Sequence, residues 1–129
     1  MLEEVHPDLV SVCTPNSTHK GLVVQALKAG ANVICEKPLT LHYADTVELY
    51  ALAEKLGKQL VVCQTSRFQR AYFAAQDYIA DGVLGNIYYA EIDRIRRRGV
   101  PSWGTFHRKA ASGGGALADI GIHELDAML

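Results

Sequence analysis

Three stretches of this sequence hold side chains whose types and spacing could do chemistry. The first is Cys13-Thr14-Pro15-Asn16, with His19 close behind. It follows the apolar run Leu-Val-Ser-Val, so a rigid turn presents backbone and amide groups at the carboxyl end of a strand. Ligands bind at that end in doubly wound sheets, and the N-terminus of a following helix favours an anion such as phosphate. An ordinary strand-to-helix turn, with Ser17 or Asn16 capping the helix, accounts for the same residues. The second stretch is Glu36-Lys37-Pro38, at the end of another apolar run. Lys37 would point its ammonium into the same crevice with Glu36 nearby to balance it; a solvated turn lysine is the plainer reading. The third is Asp119-Ile120-Gly121-Ile122-His123. Spaced i and i+4, Asp119 and His123 share one helix face. Imidazole exchanges protons near neutral pH and a carboxylate can orient it, although a surface ion pair has the same spacing. Gly113-Gly114-Gly115 upstream would let a ligand approach the backbone closely.

The elements that must position these groups follow from the hydrophobic pattern. Residues 8–13, 32–35 and 59–63 are short continuous apolar runs. Between them, 18–29 and 41–56 have helical spacing, with Gly30 and Gly57 as stops. Continuous strands alternating with helices predict a parallel sheet covered on both faces, so 8–64 reads as two consecutive βαβ crossovers of a doubly wound α/β fold. Beyond Cys63 the texture changes. Residues 67–81 read as a helix, 86–98 as a long strand with Ile87, Tyr88, Tyr89, Ile92 and Ile95, 99–111 as a loop, and 116–129 as a helix. On such a strand Arg94, Arg96 and Arg98 share a face, more in keeping with a solvated or subunit-facing edge than a phosphate site.

Composition narrows the function classes. The 129 residues are 49% hydrophobic and 21% charged, with a formal charge of −1. That suits one ordinary globular domain, argues against disorder and provides no basic footprint for nucleic acid. No run approaches a membrane span and no signal peptide opens the chain, so a cytoplasmic location is expected. Cys13, Cys35 and Cys63 are odd in number and lack metal-ligand spacing; each reads as a small buried strand residue, and no metal is expected. No GxGxxG loop or following ribose-binding acid is present.

In their order, these stretches resemble the Gfo/Idh/MocA oxidoreductases, the family of glucose-fructose oxidoreductase and inositol dehydrogenase. The matching text is VSVCTPNSTHKGLVVQALKAGANVICEKPLTL and SGGGALADIGIHELDAML. The resemblance implies the C-terminal half of a Rossmann domain over residues 1–66, lacking the glycine-rich half. Residues 67–129 would be the truncated start of an α/β (α+β) substrate and oligomerisation domain. It also implies an NAD(P)-dependent dehydrogenase of a sugar, polyol or related hydroxy compound, cytoplasmic and homo-oligomeric. By that resemblance Thr14, Pro15, Asn16, His19, Glu36 and Lys37 line the site for NAD or NADP. Lys37, Asp119 and His123 are catalytic: His123 the base, Lys37 on the reacting oxygen, and Asp119 either on a substrate hydroxyl or orienting the imidazole. Arg67 with Phe68, Trp103 and His107 are lesser substrate-side candidates. An NAD-dependent glycosidase of the same superfamily, or a non-catalytic fragment, is the alternative. The fragment alone is expected to be inactive, to bind cofactor poorly and to associate through exposed sheet edges.

Overall fold

The structure, a computed structural model, describes residues 1–95, 97, 104 and 108–129. One helical turn, α1 (Leu2–Val5), precedes β1 (Leu9–Val12), α2 (His19–Lys28), β2 (Asn32–Glu36), α3 (Tyr43–Lys55) and β3 (Leu60–Cys63). The strands form a parallel sheet in the order β1-β2-β3. Val12 lies level with Cys35, and Glu36 with Cys63. The residues that follow each strand therefore emerge along one edge, which places Thr14, Lys37 and Gln64 there.

Both crossovers step the same way along the sheet. Since such connections share one handedness, their helices come to lie on the same face. There α2 packs beside α3. Val23, Ala26 and Leu27 of α2, with Leu49 and Ala53 of α3, close over Val12, Val33, Cys35 and Leu60. Each large aliphatic side chain buried in this way contributes roughly 1.5–3 kcal/mol. On the opposite face Leu9 is 53% exposed and Val61 51% exposed. The sheet is α/β as expected, yet among the described residues its cover lies on one face only. Three strands laid down in a single direction form one wing of a doubly wound arrangement, and one wing carries its helices together. On α3, Val47 and Tyr50 are exposed as well.

Gly30, at φ +89°, turns the chain out of α2 through a conformation that a Cβ would disfavour. After β3 come a 3-10 turn (Thr65–Phe68) and α4 (Arg70–Ala80). The strand expected over 86–98 is absent from its described part: residues 86–95 have no regular structure. A strand exists through ladder bonds to a neighbour, and none of the described residues supplies one. Residues 96 and 98 lie outside the described residues. Within the loop expected at 99–111, α5 (Lys109–Ser112) begins, and the terminal helix divides into a π turn (Leu117–Gly121) and α6 (Ile122–Met128). Of the three cysteines only Cys35 is buried; Cys63 is half-buried, and Cys13, one residue past the end of β1, is exposed. Among the described residues no helix is long and apolar enough to cross a membrane.

Candidate active site

The β1–α2 turn is a 3-10 turn, Asn16–Thr18, held by its own hydroxyls: Thr18 Oγ1 donates to the Pro15 carbonyl at 2.7 Å and pairs with Thr14 Oγ1 at 2.7 Å. No side chain caps α2. Asn16 instead donates its Nδ2 amide to the Ser112 carbonyl at 2.9 Å, tying the turn to a segment 96 residues away. His19 does not face the crevice. It is wholly buried, with Nδ1 2.9 Å from the Pro38 carbonyl oxygen and Nε2 2.8 Å from the Thr14 carbonyl oxygen. Grouped with the cofactor-lining residues on sequence, it is placed behind them as a brace between the two strand-end loops.

A cavity of about 390 Å³ opens at this edge of the sheet. Thr14, Pro15 and Asn16 form one wall, Glu36 and Lys37 another, and Ala111, Ser112 and Asp119 close it from the far end of the chain. The Lys37 ammonium donates to the Asp119 carboxylate Oδ1 at 2.9 Å and also to the Asp119 backbone carbonyl. The side chain of Lys37 is 16% exposed and that of Asp119 34%, so the pair is partly desolvated. Its counter-charge is thus Asp119 rather than Glu36, the neighbour that sequence proximity suggested, because consecutive residues leaving a strand diverge. Gly113 permits the closure: a Cβ there would collide with the Leu41 side chain.

His123 follows one turn later. Its Nδ1 is buried and has no hydrogen-bond partner among the described residues. Asp119 is bonded to Lys37 and makes no hydrogen bond to the ring. Burial, and then the positive charges of Lys37 and Arg94, push the His123 pKa below its ordinary value against the opposing pull of Glu124 and Asp119. A neutral ring at neutral pH keeps an acceptor nitrogen, which is what proton abstraction needs.

Three contacts that sequence reasoning missed hold α6. Arg67 grips Asp126 bidentately, with Nε and Nη2 each 2.6 Å from a carboxylate oxygen. Tyr72 donates its hydroxyl to Glu124 Oε2 at 2.8 Å, and Arg94 donates Nη1 to Glu124 Oε1 at 2.7 Å. Arg67 therefore spends its guanidinium on the fold and does not line the Lys37 cavity. Phe68 is exposed. Trp103 and His107, the remaining substrate-side candidates, lie outside the described residues. A second buried polar atom, Gln64 Oε1 just past β3, also lacks a partner. The acidic residues one and three places after His123 were a readable signal; their partners, distant in sequence, were not.

Parallel strands joined by helical crossovers, with their carboxyl-end loops walling a crevice, are the arrangement of a Rossmann-type fold. Residues 1–64 match the family described as "Oxidoreductase family, NAD-binding Rossmann fold", and residues 72–129 match the GFO/IDH/MocA C-terminal domain. The chain belongs to the Gfo/Idh/MocA oxidoreductase family. It is 44% identical over its whole length to D-glucoside 3-dehydrogenase of Escherichia coli (strain K12), covering 37% of that protein. Among solved structures it is similar to an NAD-binding protein from Listeria innocua, with a TM-score of 0.84 and 30% identity over 98% of this chain and 36% of that one. The aldose-aldose oxidoreductase of Caulobacter crescentus, complexed with glycerol, gives a TM-score of 0.78 and 33% identity over 98% of this chain and 38% of that one. The chain thus spans little more than a third of the length of these relatives.

Proposed function

We propose that this chain carries the proton-handling end of an NAD(P)-dependent dehydrogenase acting on a sugar, polyol or related hydroxy compound. The observation that carries the reading is the meeting of Lys37 and Asp119 across 82 residues at one cavity wall, with His123, whose Nδ1 has no partner among the described residues, one turn further on. The similarity to a D-glucoside 3-dehydrogenase supports a carbohydrate hydroxyl as the reacting group. Thr14, Pro15, Asn16, Glu36 and Lys37 would hold the cofactor, since all five wall the same cavity. NAD(P), when bound, supplies the acceptor for the substrate's hydride.

The chain's own residues then divide the remaining work. His123 takes the hydroxyl proton as the carbon–oxygen bond gains double-bond character. Lys37 donates a hydrogen bond to that oxygen and stabilises the negative charge developing on it. Asp119 fixes Lys37 through Oδ1 and its backbone carbonyl, leaving Oδ2 for a second substrate hydroxyl.

In the whole protein, His123→Asn is expected to lower kcat for glucoside oxidation by ~10²–10⁴-fold, the range typical of losing a general base, with the melting temperature retained. Reduced-nicotinamide absorbance reads the rate, and an unchanged kcat would overturn the assignment. The 129 residues hold no glycine-rich pyrophosphate loop. Calorimetry on this chain alone is therefore expected to find weak NADH binding.

A further inference from the structure

Glu124 has no place in the chemistry above, yet both of its carboxylate oxygens are engaged. Its side chain is 13% exposed, and each oxygen is taken by a different part of the chain: Oε2 by the Tyr72 hydroxyl of α4, Oε1 by Arg94 from the segment that follows. It lies directly after His123, near the start of α6. A surface ion pair engages one partner and is worth little. A carboxylate stretched between two elements, one residue from an imidazole whose buried Nδ1 lacks a partner among the described residues, fixes the rotation of the helix that presents that imidazole.

We propose that Glu124 is a positioning residue for His123: tied to Tyr72 and Arg94, it locks α6 in register and supplies the negative charge that balances the cations around the ring. Its importance to turnover rests on the reading of His123 as the base, but the proposal itself concerns the ring's orientation and charge environment. Among the described residues, the charged groups that act on His123 come from separate elements: Lys37 from the end of β2, Asp119 from the π turn, Arg94 from the 86–95 segment and Glu124 from α6 itself. Asp126, on the same helix, also feels the His123 charge and is itself held by Arg67. Two cations thus oppose protonation of His123, with Glu124 and Asp119 working the other way. Removing Glu124's charge and removing Arg94's charge must therefore move the ring in opposite directions.

The test is a histidine NMR titration of the 129-residue chain, with the His123 signal assigned by its loss in His123→Asn. Glu124→Gln keeps the shape and an acceptor for Tyr72, and is expected to lower the His123 midpoint by roughly half a unit. That is the modest end of what a neighbouring charge does, since the site is partly solvated. Arg94→Met is expected to raise it, because Glu124 then acts on the ring uncompensated. Tyr72→Phe, which leaves both charges, is expected to broaden the His123 signal with a smaller change in midpoint. A purely structural Glu124 would alter melting temperature in the variants and leave the midpoint where it was. Midpoints equal to that of the unsubstituted chain, or moving together in Glu124→Gln and Arg94→Met, would overturn the proposal. Failure of the base assignment reads differently: the midpoints respond as stated while His123→Asn of the whole protein keeps its rate.

Discussion

Cys13, Cys35 and Cys63 look alike in sequence, each closing or following a run of Leu and Val, and their environments separate them. Cys35 points into the core beneath α2 and α3, where burial pushes its thiol up to about 12. Cys63 is half-buried and is raised for the same reason, with Glu36 adding to the effect. Cys13 is exposed beside the crevice, sharing a 3.3 Å hydrogen bond with the Ser11 hydroxyl. Because the thiolate is the reactive form and must be reached by reagent, iodoacetamide near neutral pH is expected to label Cys13 first and Cys35 only on unfolding. Peptide mapping by mass spectrometry reads the order; early labelling of Cys35 would contradict its placement. Reading all three as buried strand residues failed at Cys13 because the strand ends one residue sooner than its apolar run suggests.

At the scale of elements, the crevice depends on two loops that share one brace. His19 bridges the carbonyls of Thr14 and Pro38, which belong to the turns after β1 and β2. Replacing it with Leu would remove the ring N–H on which one of these carbonyl oxygens depends, at a cost of ~1–3 kcal/mol, together with the packing of a wholly buried ring. His19→Leu is expected to destabilise the chain by about 2 kcal/mol or more in urea unfolding, and a loss under about 0.5 kcal/mol would contradict the brace. The spacing of Val23, Ala26 and Leu27 made α2 legible, since that periodicity reports the face it buries. The brace was not legible: a histidine after Thr-Pro-Asn reads equally as a ligand contact, and its partners are backbone atoms that no side-chain pattern records. Residues 86–95 failed for a related reason. Their alternating aromatic and branched residues favour a strand, but a strand needs a neighbour, which no local pattern supplies.

For the whole molecule, the ionic contacts around α6 set the response to acid. The Asp126 carboxyl lies below its usual range because Arg67 hydrogen-bonds it. Burial alone would raise Glu124, but the bonds from Tyr72 and Arg94 outweigh that and hold it low. His123 is also depressed, chiefly by burial. All three groups therefore bind protons more readily in the unfolded chain. Their stabilisation is present above the unfolded values and is lost as pH falls through the folded ones. The denaturation midpoint is expected to fall from about pH 6.5 downward as His123 takes effect, and again through the carboxylate range near pH 4. Unfolding curves between about pH 8 and pH 4 check this; a midpoint independent of pH below neutrality would contradict the burial of His123 and the pairing of its neighbours.

By itself the sequence determined the βαβαβ order, the carboxyl-end location of Thr14-Pro15-Asn16 and Lys37, and membership of the Gfo/Idh/MocA family. Each depends on local periodicity, turn chemistry or text. Only the tertiary structure decided that Lys37 pairs with Asp119 rather than Glu36, that His19 faces the interior, and that Arg67, Tyr72 and Arg94 secure α6. Those partnerships join residues up to 82 positions apart. They form only when the chain folds back on its sheet and brings these distant elements side by side, a condition that no window of sequence contains.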